Sequence, residues 1–205
     1  MRLRTEPHAI QTARWPASGR HIMAQFDADA IVVYQAYRPS IGTYAATHNR
    51  FGGPWSLERM SWLKPNFLWM MYRCGWATKE HQEVVLAIWL ARSLFDEILA
   101  AAVPSSYWQH LYPERAAWED AVKRSEVRLQ WDPDHGPGGQ PLERRAIQLG
   151  LRGPMLARYA SPLHIEDITP FVREQRAVFE QRGALVTPEE HPYPVVPETA
   201  TRLGI

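Results

Sequence analysis

The side chains best suited to chemistry in this 205-residue sequence are five cations set among aromatic residues. Arg38 follows an aliphatic run, Arg59 and Lys64 bracket Met60-Ser61-Trp62-Leu63, Arg73 closes an apolar stretch, and Arg152 stands between Gly150 and Gly153. A guanidinium stays charged when partly buried and binds phosphate through two parallel N–H donors. Tyr37 and Trp62 each sit beside a charged residue and offer flat faces that stack on a base or nicotinamide ring. If such arginines converge with Tyr and Trp, they suit a nucleotide or phosphorylated small molecule. The plainer alternative is that each arginine caps a helix or pairs with Glu58, Glu80, Glu83 or Glu166. Aromatic residues have a plain role too, filling a core, and Trp69 inside an apolar stretch reads that way.

Other chemistry is thinner. Glu166-Asp167 can supply a catalytic carboxylate, or Asp167 can bind backbone amides at the turn before a helix. His81 and Glu83 can act as a general acid and base, though a solvated pair is the simpler reading. The sequence has no Gly-x-Gly-x-x-Gly, Walker loop, His-Glu-x-x-His or Gly-x-Ser-x-Gly. Its eight histidines lack metal-ligand spacing and Cys74 is its one cysteine, so no metal, disulfide or dithiol redox site is expected.

The elements that must position these residues can be read from pattern. Ala30 to Tyr37 is β-branched and aromatic and ends at Pro39, which predicts a buried strand with Arg38 at its C-terminal end. Ser40 to His48 reads as a short helix, and Phe51-Gly52-Gly53-Pro54 as a breaker. A short strand over Arg59 to Leu63 leads into a helix over Phe67 to Cys74, with Pro65 in its first turn, Gly75 as C-cap and Arg73 in the last turn. Val84 to Leu90 fits either a buried strand or the first half of a helix through Ala102; its lack of a polar face favours a strand, with a helix from Ala91. Residues 104 to 131 read as a surface helical region, and Trp131 to Pro141, dense in turn formers, as a loop that is either a lid or an insertion. A strand over Arg144 to Leu151, a helical turn over Pro154 to Tyr159, a strand over His164 to Ile168 and a helix over Pro170 to Gln181 behind Thr169 as N-cap complete the reading.

The length favours one α+β domain. Residues 1–25 read as a loosely ordered arm that Arg14-Trp15-Pro16 can pin down, 26–183 as the domain, and 184–205 as a Pro-rich extended tail packed on it. Met1 to Ala13 lacks the apolar run of a secretory signal and no stretch has the length of a membrane span, which with the single cysteine suggests a cytoplasmic location and no membrane partner. Net charge is +1, so an anionic ligand must be held by local arginines rather than by a global field.

Three blocks carry a resemblance. Val33-Tyr34-Gln35-Ala36-Tyr37-Arg38-Pro39, the run from Arg59 to Arg73, and Gln148-Leu149-Gly150-Leu151-Arg152-Gly153 closely resemble a family catalogued as domain of unknown function 4291. The order of elements also resembles the ADP-ribosyltransferase fold, which implies a central split antiparallel sheet flanked by helices and NAD held in a cleft. By that resemblance Arg38 would hold the pyrophosphate, Tyr72 or Trp62 would stack on nicotinamide, and Glu166 would steady the ribosyl cation. Gln148 stands where a carboxylate would be expected. The arginine-rich set, with Arg59, Lys64, Arg73 and Arg152 beside Arg38, is similar to the RNA 2′-phosphotransferase branch, which relies on Arg and His rather than Glu. The resemblance implies a transferase acting on RNA, DNA or protein; the alternative is a module that binds RNA or a nucleotide without turnover.

Overall fold

The aliphatic runs become the strands at the middle of the molecule. A computed structural model describes residues 1–205. The chain begins with β1 (Thr5–Pro7), α1 (His8–Thr12), β2 (Gly19–Arg20), β3 (Met23–Ala24), β4 (Ala30–Tyr37), α2 (Pro39–His48), β5 (Ser61–Leu63) and α3 (Phe67–Cys74). It continues with β6 (Val84–Ala91), α4 (Arg92–Ala100), β7 (Ala102–Pro104), α5 (Arg115–Arg124), β8 (Val127–His135) and β9 (Pro141–Leu151). It closes with α6 (Gly153–Tyr159), β10 (His164–Asp167), α7 (Thr169–Glu180), β11 (Val186–Pro188), β12 (His191–Pro192) and α8 (Pro197–Leu203). Together these form one α+β domain, and no helix is long and apolar enough to cross a membrane.

β6 lies between β4 and β10, antiparallel to both. Its side chains from Val84 to Leu90 are all buried because both faces of this sheet are covered. Leu86, Ile88 and Leu90, with Ile31 and Val33 of β4, pack against β8, β9, α4 and α6. Val85, Ala87 and Trp89, with Val32 and Tyr34, meet Phe67, Leu68, Met70 and Met71 of α3 and Val172 of α7. A strand buried on both faces needs no polar residue, which is why this run shows no alternation and its periodicity alone does not tell strand from helix.

β9 is the middle of the second sheet. β8 runs antiparallel along one edge, β7 adds in parallel beyond it, and the other edge is shared by β5 (antiparallel) and β2 (parallel). Leu63, Leu129, Ile147 and Leu149 face the core. Because strand side chains alternate, Trp62, Lys64, Gln130, Asp132 and Gln148 fall on the opposite, polar face. The two sheets meet at one bridge, where Tyr34 N–H donates to the Lys64 carbonyl at 2.7 Å and Lys64 N–H returns to the Tyr34 carbonyl at 3.2 Å.

α3 starts where Asn66 Oδ1 accepts the Trp69 N–H at 2.7 Å and stops at left-handed Gly75, φ 58°. The buried Glu190 clamps the same end, accepting from Phe67 N–H at 2.6 Å and Asn66 Nδ2 at 3.1 Å. Pro65 therefore precedes the cap rather than opening the helix. At α7 the cap position falls to Ile168, not Thr169, and Asp167 Oδ1 accepts the Thr169 N–H at 2.9 Å.

Several expectations are corrected. The N-terminal 25 residues are not loose: β1 pairs with β11, β2 with β9 and β3 with β12, and Trp15 Nε1 donates to the Glu190 carbonyl at 2.9 Å. The region 104–131 is helical only in α5, and it ends in β8. Trp131 to Pro141 is no lid or insertion; β8 runs through His135, β9 begins at Pro141, and only the turn between them is irregular. The C-terminal tail is strand-paired and ends in α8, so it is not simply extended. The turn formers Asp132, Pro133 and Asp134 sit in a strand because Asp134 has a partner across the hairpin. Arg144 reaches its Oδ2 through Nε at 2.8 Å and a second nitrogen at 2.6 Å, and also donates to the Pro16 carbonyl at 2.9 Å.

Both members of that pair are buried, Asp134 being 1% exposed. Removing one partner strands the other charge, so Asp134→Ala is expected to lower stability by about 3 to 5 kcal/mol. Replacing both residues by apolar ones should cost much less; urea unfolding of the single and double variants measures the difference.

Candidate functional site

The C-terminal end of β4, the loop after α2, β5 with its flanks, the last turn of α3 and the turn before β6 enclose a cavity of about 570 Å³. That size is within the roughly 300–1,000 Å³ of ligand pockets. Arg38, Arg59, Lys64 and Arg73 all line it, with Tyr37 and Trp62, and no aspartate or glutamate does. The ion pairs of the chain lie elsewhere, so none of these four cations is salt-bridged to a protein carboxylate. Their convergence favours ligand binding over the plainer reading of capping and pairing.

Each cation owes its place to an element end. Arg38 directly follows β4 and takes the cap position of α2, whose first residue is Pro39. Arg59 lies in the loop before β5, which begins only at Ser61. Arg73 is in the last turn of α3 with its guanidinium 5.9 Å from the Trp69 ring. Lys64 sits at the bridge between the sheets and is only 6% exposed. Burial, and secondarily the nearby Arg73, pull its ammonium down to about 8, while Asp132 opposes the shift.

The floor is a neutral hydrogen-bond network. Gln35, a lone amide in an apolar strand, donates to Ser61 Oγ at 2.8 Å and to the Trp62 carbonyl at 3.0 Å. Its Oε1 accepts from Tyr159 at 2.7 Å and from Tyr37 at 3.0 Å. Trp55 Nε1 donates to the Tyr37 hydroxyl at 3.1 Å. Burial raises the Tyr37 phenol above its ordinary range. Tyr37 therefore shapes the cavity as a fixed neutral group.

The structure separates other residues from this set. Arg152 caps α5 instead, donating to the Ser125 carbonyl at 2.8 Å and to the Val122 and Lys123 carbonyls. Tyr72 lies outside the cavity, 40% exposed and stacked on His135 with ring centres 3.6 Å apart. Glu166 pairs with Ala87 on β10, across β6 from β4, about 10 Å away by strand spacing. It cannot reach a ligand among the arginines. His81 borders the cavity but is solvated, its side chain 73% exposed, and Glu83 accepts its backbone N–H at 2.9 Å. Gln148 lines an adjoining chamber of about 330 Å³ with Trp69, Gln130 and Asp132, and this chamber shares Trp62, Lys64 and Arg73 with the first. Nowhere do three His, Cys, Asp or Glu side chains gather as metal ligands would.

Gln35, Ser61, Trp55 and Asp132 were not singled out from the sequence. One signal was available for Gln35: a buried amide in an otherwise apolar strand must find partners.

The chain matches over residues 21–193 the family described as Domain of unknown function (DUF4291), and it belongs to that family. No curated protein matches it.

Lys64 supplies a test of the site. The free amine titrates at 10.5 and the folded one at about 8, so the folded state disfavours the charge. The penalty is complete below pH 8 and fades as pH rises towards 10.5, where the unfolded chain also loses the proton. Lys64→Met is expected to stabilise the unliganded protein by about 2 to 3 kcal/mol at pH 7 and by little at pH 10.5. Urea unfolding at the two pH values checks both sign and window.

Proposed function

We propose that the chain binds a nucleotide carrying a pyrophosphate, NAD foremost, and transfers its ADP-ribosyl group to a nucleic acid or protein. The observation that carries this reading is the set of four unpaired cations, drawn from separate elements, around one cavity that contains no carboxylate. Phosphates would receive bidentate donors from Arg38 and Arg59 and charge from Lys64 and Arg73. Trp62 offers a face for the ring. NAD supplies a ribosyl carbon activated by its nicotinamide leaving group.

The absence of a cavity carboxylate supports chemistry of the arginine-rich RNA 2′-phosphotransferase kind over the glutamate kind. Glu166 has no part in this proposal, nor have Tyr72 and Arg152. A second reading, a module that binds nucleotide or RNA without turnover, is favoured by one observation: no carboxylate or buried histidine reaches the cavity to take a proton.

Purified protein should be stabilised by NAD or ADP-ribose, by about 2.7 kcal/mol at 100 times the dissociation constant. Arg38→Ala and Arg59→Ala should remove the shift while leaving the unliganded melting temperature within a few degrees. Unchanged affinity in a folded Arg38→Ala protein would sink the proposal. Release of nicotinamide over time separates the transferase from the binding module. A steep loss of affinity with salt would point to an extended nucleic-acid ligand instead.

A further inference from the structure

The chamber beside the cation pocket is built differently. It lies between the polar face of β8 and β9 and the buried side of α3. Its centre is Asp132, held on both oxygens: Gln130 Nε2 donates to Oδ1 at 2.9 Å, and Gln148 Nε2 donates to Oδ2 at 2.7 Å. An ionised carboxylate can accept about four hydrogen bonds. Two are used, so a fixed acceptor faces the chamber with capacity to spare. Trp62 and Trp69 line it.

Two further features leave polar groups around the chamber without protein partners. Lys64, nine-tenths buried, lines both chambers and forms no ion pair on the protein. Trp69 Nε1 is buried without a partner. A phosphate belongs beside the shared Lys64 and Arg73, and the Asp132 carboxylate would repel it from the far wall. A planar group with N–H donors has the complementary chemistry, stacking on indole and donating to the carboxylate.

We propose that this second chamber takes the amine-bearing edge of the ligand's ring, an exocyclic amine or a primary carboxamide, and that Asp132 selects it. The inference rests on the nucleotide reading above and adds the specificity determinant. NAD offers this chemistry at both ends, in the adenine amino group and in the nicotinamide carboxamide, so the two sources must be told apart.

Calorimetric titration can do so with three ligands: NAD, nicotinamide hypoxanthine dinucleotide, which lacks the adenine amine, and nicotinic acid adenine dinucleotide, which lacks the carboxamide amine. The wild-type protein is expected to bind one of the two analogues at least tenfold more weakly than NAD, and which one it is identifies the end that enters. Asp132→Asn should bind NAD and that analogue within twofold of each other. Asp132→Ala, which removes the carboxylate altogether, should narrow the discrimination likewise and keeps the test decisive if Asp132→Asn fails to fold. The inference alone is overturned if the wild type binds all three within twofold, or if either folded variant keeps the full discrimination. Wild-type protein that binds neither NAD nor ADP-ribose overturns the nucleotide reading, and the inference with it.

Discussion

The arrangement depends on the short bridge between Tyr34 and Lys64. Two backbone hydrogen bonds there join a three-stranded sheet to a five-stranded one, and no other strand pairing connects them. The Tyr34 side chain goes to one side, packing edge-on against Phe67 with ring centres 5.5 Å apart, and so seats α3. The Lys64 side chain goes to the polar face of the second sheet, against the same helix. One residue pair thus fixes the distance between the sheets, the position of α3 and the place of a buried ammonium. The cavity follows from that geometry, since the end of β4 and the end of α3 must both come to lie around Lys64.

Such a site opposes folding. Burying the Lys64 ammonium carries a desolvation cost and sets it near the like-charged Arg73, while Arg38, Arg59 and Arg73 stay exposed to solvent. The neutral network beneath them, from Tyr159 through Gln35 to Ser61 and Tyr37, holds the floor without cancelling their field. An acidic floor would have stabilised the fold and weakened anion binding. The compensating stability comes from elsewhere, above all from the β6 strand buried on both faces.

Much of this was legible in the sequence where one physical rule dominated. The strand Ala30–Tyr37, the helix Phe67–Cys74 and the strand from Val84 were readable because full burial, a breaker or a left-handed glycine leaves a plain mark. The strand through Asp132, Pro133 and Asp134 was not, because those residues favour turns until a buried arginine ten positions along the hairpin partners one of them. The site divides the same way. Arg38, Arg59, Lys64 and Arg73 stand out by type in two short blocks, but their convergence depends on the bridge that sets the end of β4 beside β5 and is not written in either block. Arg152 belongs to an equally distinctive block, yet its guanidinium is taken by the carbonyls at the end of α5. Glu166 lies a strand too far. Register and helix ends decided these outcomes, and neither is written in local pattern.

Asp132 shows why the polar face of the second sheet was the hardest part to read. Gln130, Asp132 and Gln148 alternate with core residues in unremarkable strands, and two of the three are ordinary surface residues by type. Their meaning comes from pairing, since Gln130 stands opposite Gln148 and Asp132 opposite Ala146, a small residue. The small residue leaves the two amides free to converge on one carboxylate. A net charge near zero conceals the result: four cations line one chamber, and the next holds a fixed carboxylate together with two of them, Lys64 and Arg73. A ligand that is anionic at one end and donor-bearing at the other would meet cations and an acceptor within two adjoining chambers.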